Sequence, residues 1–234
     1  MPVMNAETAT PDVCIRGGGA VGLALALALG RQGLSVGLVP TAGTGPAAPA
    51  TAAAGDVRAY ALNAASRGLL RQLKVWEALP ADAVTAVDDM SVRGDAAGAQ
   101  IAFSAWQQGA EALAWIVDVP ALEARLQDAV RFQPQVEVVQ APVAAPLTVV
   151  CEGRASTTRA EFGVHFDVTP YAQHAIATRV RCEHPHGQVA RQWLSPQGIL
   201  AFLPLEGVQG NSVAVVWSVP EDRVSALMAL PADA

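Results

Sequence analysis

Little in this sequence announces a site at a glance. The three cysteines, Cys14, Cys151 and Cys182, are far apart and odd in number. That excludes a disulfide framework, offers no metal-ligand spacing, and reads as reduced, buried thiols. His184 and His186 flank Pro185 without a supporting cysteine or carboxylate cluster, so no metal site is expected there. Charged residues make up only 15% of the chain and the formal net charge is −6, which leaves no basic footprint for nucleic acid. An anionic membrane surface is not favoured either, although apolar contacts could grip a lipid-like substrate. The apolar run Ala20 to Leu29 is about half a membrane span, and Met1 to Pro11 does not read as a signal peptide. A cytoplasmic location, with peripheral membrane association left open, is the expectation. Ser66, Ser104 and Ser156 are lone hydroxyls, so neither a nucleophile with its base nor an acid–base pair stands out.

What is present is apolar residue in quantity. Hydrophobic side chains account for 52% of 234 residues, enough for a substantial core and incompatible with a disordered chain. Asp12 to Arg16 reads as a strand, Ala20 to Gln32 as a helix packed on most sides, Gly33 as its stop, and Leu34 to Val39 as a second strand. Thr41 to Gly55 is almost all Ala, Gly, Pro and Thr, a low-complexity loop. Asn63 to Leu73 and Ala121 to Phe132 read as helices, the latter led in by Pro120. Met90 to Gly94 and Gln100 to Ser104 form a predicted hairpin, and Val136 to Val139 and Thr148 to Val150 are short strands. Four longer strands, Ala175 to Cys182, Val189 to Leu194, Ile199 to Leu205 and Ser212 to Val219, predict an antiparallel layer, closed by a helix over Glu221 to Leu230.

Between the first strand and helix lies Gly17-Gly18-Gly19-Ala20-Val21-Gly22, in which Gly17, Gly19 and Gly22 match G-x-G-x-x-G. The first glycine permits a tight turn, the second lets backbone approach a pyrophosphate, and the third allows close helix–strand packing. The helix N-terminus at Ala20 offers N–H groups and partial positive charge to that phosphate. Two residues depart from this pattern: Pro40 stands where an acidic residue usually holds the ribose, and Arg16 ends the strand where an apolar residue is usual.

The run Asp56-Val57-Arg58-Ala59-Tyr60-Ala61-Leu62-Asn63-Ala64-Ala65-Ser66-Arg67 resembles the R-x-x-A-hydrophobic-N/S-A-A-S stretch of the ubiquinone-biosynthesis FAD-dependent aromatic hydroxylases. Trp76-Glu77, the stretch Gln188 to Leu205 and the run Ser212 to Ser218 also look like that family. Its D-G-x-x-S-x-x-R motif is matched by Cys151 to Arg159, with Gly153, Ser156 and Arg159 in register and Glu152 replacing Asp. The family's third motif, a G-D stretch, is expected after the last helix, where Pro231 to Ala234 stand instead; on this ground the chain reads as C-terminally incomplete relative to the family.

The resemblance implies an α/β flavin monooxygenase fold, with a Rossmann-like β-α-β domain and an antiparallel β-sheet substrate layer. It implies an FAD-binding domain over 1–90 and 120–170 and a substrate domain over 91–119 and 171–234. Cofactor contacts fall to Gly17, Gly19, Ala20, Gly22, Arg58, Glu152 and Gly153, with no catalytic side chain named. Arg58 would lie beside the flavin as a fixed cation, with Asp56 as a competing partner. In the implied reaction NAD(P)H reduces FAD, oxygen reacts with the reduced ring, and an electron-rich prenylated phenol is hydroxylated. Trp193, Phe202, Leu203 and Trp217 suit such a substrate or are plain core. An uncovered apolar surface implies self-association or a partner among ubiquinone-biosynthesis proteins. Two other readings stay open: a shortened, non-catalytic binding or scaffold relative without flavin, and an NAD(P)-dependent reductase using only the N-terminal unit.

Overall fold

The computed structural model describes residues 10–40, 56–154 and 156–230. The predicted loop Thr41 to Gly55, most of the N-terminal segment and the last four residues lie outside them. In chain order the elements are β1 (Val13–Arg16), α1 (Ala20–Arg31), β2 (Val36–Val39), β3 (Ala59–Leu62), α2 (Ala64–Gln72), β4 (Val84–Val87), β5 (Asp89–Arg93) and β6 (Gln100–Ser104). There follow β7 (Ala114–Asp118), α3 (Val119–Arg131), β8 (Val136–Val138), β9 (Leu147–Val150) and α4 (Thr158–Glu161). The chain then continues through β10 (Gln173–Arg181), β11 (Val189–Ser195), β12 (Gly198–Pro204), β13 (Ser212–Pro220) and α5 (Glu221–Met228).

Two compact units result, one of residues 1–53 with 123–166 and the other of residues 54–122 with 167–234. The division falls within α3. The first unit is a four-stranded sheet in the order β8-β2-β1-β9, with all three pairings parallel. Parallel strands need crossovers, and α1 supplies one. It presents Leu23, Ala26 and Leu27 to the core and carries no acidic residue in its first turn. Ile15, Leu27, Val36, Leu38 and Leu126 are completely or almost completely buried. Truncating Ile15, Leu27, Leu38 or Leu126 to alanine is expected to cost about 2–5 kcal/mol.

The second unit holds a six-stranded sheet, β10-β13-β12-β11-β5-β6, and a three-stranded sheet, β3-β7-β4. The predicted antiparallel layer is present as β10 to β13, and the β5–β6 hairpin extends it through a parallel pairing of β5 with β11. The small sheet was missing from the sequence reading. Its strands are four or five residues long and not clearly alternating, so period alone does not reveal them. Because β3 and β4 both pair with β7, residues 56–90 pack with the strand-rich unit, whereas the sequence resemblance assigns 1–90 to the FAD-binding domain. Val87, Ile116, Ala190, Leu205 and Ala214 form the core of this unit.

Candidate cofactor site

The glycine loop closes on the end of β9. Gly17 has φ +127°, and a Cβ there would lie 2.4 Å from the Cys151 carbonyl. A Cβ on Gly22 would lie 1.9 Å from the Gly17 carbonyl oxygen. Both glycines are therefore demanded by packing. Gly19 is different, since its Cβ would meet only Glu123 Oε1 at 3.9 Å, an ordinary contact. Gly153 has φ +73° and open space around it. Gly19 caps α1 without a side-chain hydrogen bond, and the first intrahelical bond runs from Leu23 N–H to the Gly19 carbonyl at 3.0 Å. The amides of Ala20, Val21 and Gly22 thus have no acceptor within the helix. An open backbone surface beside donor-rich amides is what a pyrophosphate needs, so these residues fit the phosphate part of a dinucleotide.

Glu152 lies in the same unit, with its carboxylate held by the protein. Its Oε2 accepts from Ser156 Oγ at 2.7 Å and from the Thr158 N–H at 3.3 Å, and its Oε1 accepts from Thr158 Oγ1 at 2.6 Å. Arg16 Nε stands 3.5 Å from Oε1, and Arg16 Nη1 donates to Glu161 Oε2 at 2.7 Å. Burial works to raise the Glu152 pKa, but the hydrogen bonds from Thr158 and Ser156, together with the charge of Arg16, outweigh it and hold the carboxyl below its ordinary value. Arg159, the last residue of the second motif, donates to the Arg154 carbonyl at 2.6 Å and covers the Phe166 ring at 4.3 Å. Ala155 within that motif lies outside the described residues. Burial raises the pKa of the Cys151 thiol, in keeping with an inert cysteine.

Arg58 belongs to the second unit. Its Nε and Nη2 grip the Asp56 carboxylate at 2.9 and 2.5 Å, and this hydrogen-bonded pairing lowers the Asp56 pKa against the opposing effect of burial. The competing partner named from sequence is therefore a real one. Sequence reasoning missed what fixes this segment. Arg179 on β10 donates to the Val57 and Arg58 carbonyls at 3.2 and 3.0 Å and pairs with Asp118 at 2.6 Å. Asp118 also accepts from the Ala121 N–H at 2.8 Å, at the start of α3. Trp76 of the motif-matching pair packs edge-to-face on Trp115, whose face carries Arg67 at 4.3 Å, a packing role.

The register of the six-stranded sheet sorts the proposed substrate aromatics. Trp193, Phe202 and Trp217 share one face, and Leu203 lies on the other, packed against the unit's core. Trp193 and Phe202 meet edge-to-face at 5.0 Å. A cavity of about 80 Å³ on their face is lined by Ser91, Arg93, Arg191 and Trp193. His186 is buried, with Nε2 2.8 Å from the Leu205 carbonyl and Nδ1 accepting from the Gln188 N–H. Both ring nitrogens are thus engaged in structure, and among the described residues no group of three metal-ligating side chains occurs. A larger groove of about 430 Å³ in the first unit opens beside Pro11, Ser35 and Gln135, at the amino ends of the strands. That is the end opposite the glycine loop, away from where open α/β sheets bind ligands.

No family model matches the chain. It is 30% identical over 254 residues to the ubiquinone hydroxylase UbiL of Rhodospirillum rubrum, covering 99% of this chain and 57% of that protein. To the 3-demethoxyubiquinol 3-hydroxylase of Escherichia coli it is 28% identical over 238 residues, covering 92% and 59%. The chain thus spans a little under three-fifths of the length of these curated relatives. Among solved structures it is similar to PqsL, a probable FAD-dependent monooxygenase of Pseudomonas aeruginosa, with a TM-score of 0.73, 20% identity, and coverage of 94% of this chain and 63% of that one. The p-nitrophenol 4-monooxygenase PnpA of Pseudomonas putida gives a TM-score of 0.70 at 18% identity, with 94% and 60% covered. The fold is that of the FAD-dependent monooxygenases. Within that class the chain is similar in sequence to ubiquinone-biosynthesis flavin hydroxylases.

Proposed function

We propose that the chain carries the dinucleotide-binding and substrate-sheet parts of an FAD-dependent aromatic hydroxylase acting on a prenylated phenol of ubiquinone biosynthesis. The observation that carries this reading is the open backbone at Gly19, beside uncapped N-terminal amides of α1 and within a fold shared with FAD-dependent monooxygenases. The overall reaction would be phenol plus O2, NAD(P)H and a proton giving hydroxylated phenol, NAD(P)+ and water. FAD, when bound, supplies the electron transfer and oxygen activation. The amides of Ala20, Val21 and Gly22 would hold the pyrophosphate, with Gly19 and Gly153 giving backbone its close approach. Arg58 would contribute positive charge near the ring, tempered by Asp56. The half-buried Trp193, Phe202 and Trp217 face would take the apolar substrate and keep water from it.

A titration of the purified chain with FAD, followed by quenching of flavin fluorescence, tests the reading. Saturable binding in the micromolar range, with NAD(P)H oxidation and a hydroxylated product when a prenylated phenol is added, is the expected result. Absence of FAD binding up to millimolar concentration overturns it in favour of a non-catalytic relative.

Association belongs to the same reading. Ile101, Phe103, Leu194 and Val216 share one face of the large sheet and are 37–60% exposed, so self-association through that face is expected. No described helix is long and apolar enough to cross a membrane; peripheral membrane contact through apolar surface is part of the proposal.

A further inference from the structure

Two of the three residues of the first unit that depart from the expected motifs, Arg16 and Glu152, meet each other. Their positions are 136 residues apart in the sequence, yet Arg16 Nε lies 3.5 Å from Glu152 Oε1. Both side chains are largely buried, 17% and 10% exposed. Arg16 also bonds Glu161, which closes the segment that Glu152 opens, and its own carbonyl accepts from the Cys151 N–H at 2.6 Å. An ionised carboxylate has about four lone-pair positions. At Glu152 they face four groups: Ser156 Oγ, the Thr158 N–H, Thr158 Oγ1 and Arg16. Three hydrogen bonds and one ion pair thus commit this side chain to the protein.

We propose that Arg16 is a positioning residue for the cofactor site. Through Glu152 and Glu161 it fastens the loop after β9 to the end of β1, so that the Gly153 backbone, and not the Glu152 carboxylate, meets the cofactor. The longer reach of Glu152, compared with aspartate, suits it to Thr158 and Arg16 together. Arg16 has a second effect. Glu152 and Glu161 would otherwise place two negative charges in the unit that receives a pyrophosphate, and the guanidinium offsets one of them. Arginine at the end of β1 and glutamate in the second motif are thus a matched pair, explained together where neither is explained alone.

The inference rests on the FAD reading of this site. Its test combines FAD titration with hydrogen exchange of the amides from Cys151 to Glu161, comparing the wild-type chain with Arg16→Val, Arg16→Lys, Glu152→Asp and Arg16→Val/Glu152→Asp. Arg16→Val is expected to weaken FAD about tenfold, a coupling of ordinary size for contacting groups, and to speed exchange of the Cys151 and Thr158 amides. Arg16→Lys should recover part of both, and the double variant should lose less than the two single losses combined. Glu161→Gln, at a half-exposed position, gives the same direction of change should Arg16→Val fail to fold. Tight wild-type binding that Arg16→Val and Glu161→Gln both leave unchanged overturns the positioning role alone. A wild-type chain that takes up no FAD overturns the cofactor reading and the role with it, while exchange still reports whether the clamp exists.

Discussion

Gly19 and Gly22 stand three residues apart and are needed for different reasons, which a pair of alanine substitutions separates. Gly22→Ala drives a methyl to 1.9 Å from the Gly17 oxygen, with the Cys151 Cβ at 3.4 Å. It is expected to cost on the order of 2–3 kcal/mol in chemical denaturation, as overpacking does. Gly19→Ala meets only Glu123 Oε1 at ordinary contact distance, so stability should stay within about 0.5 kcal/mol. Its FAD affinity should fall sharply, because the methyl stands where phosphate must approach the backbone. Equal stability with unchanged FAD affinity in Gly19→Ala would contradict the cradle. Glu152 gives a pH signature. Its pKa is depressed in the folded state, so its contribution is fully present above the unfolded value near 4.5 and lost as pH falls through the folded value. Wild-type stability should therefore drop more steeply than that of Glu152→Gln as pH falls from about 5 to about 3. Parallel curves for the two proteins would remove Glu152 as a contributor.

Among the elements, α2 shows how a short helix is held. Its mean hydropathy is low, and it relies on the Asn63 side chain accepting from the Ser66 N–H at 2.8 Å. Asn63→Ala should cost about 1 kcal/mol in urea denaturation, while Asn63→Asp should be nearly neutral because aspartate caps as well. A neutral Asn63→Ala would mean that tertiary packing alone fixes the helix start. In the large sheet, alternation decides more than composition. One step along β12 turns from Phe202, facing Trp193 and the small cavity, to Leu203, facing the core. The four side chains that the sequence grouped as one apolar layer therefore divide between a candidate ligand face and structural packing.

For the whole molecule, binding and stability are linked. FAD at a hundredfold excess over its dissociation constant should stabilise the chain by about 2.7 kcal/mol, raising Tm by roughly 2–4 °C for each kcal/mol in a protein of this size. A Tm indifferent to saturating FAD would argue against a site in the folded state. Light scattering should give a mass that grows with concentration, through the face bearing Ile101, Phe103, Leu194 and Val216. Replacement of Ile101 and Leu194 by polar residues should return it to that of a single chain. Strict monomer behaviour at high concentration would remove the self-association reading.

The sequence by itself determined the β-α-β start, the antiparallel run from β10 to β13, the hairpin of β5 and β6, and the glycine loop. Each of these is carried by a local signal, a period, a turn residue or a spacing. Tertiary structure decided the rest. The short strands β3, β4 and β7 become visible only by pairing with one another, β3 with β7 across more than fifty residues, and their pairing moves residues 56–90 into the second unit. It also decided what Arg16 and Glu152 are. Each looked like a defect in its motif, because a charge read along the chain has no partner until folding brings one within 4 Å. Coulomb attraction and hydrogen bonding act over ångströms and ignore sequence distance, so Arg16 finds Glu161 across 145 residues.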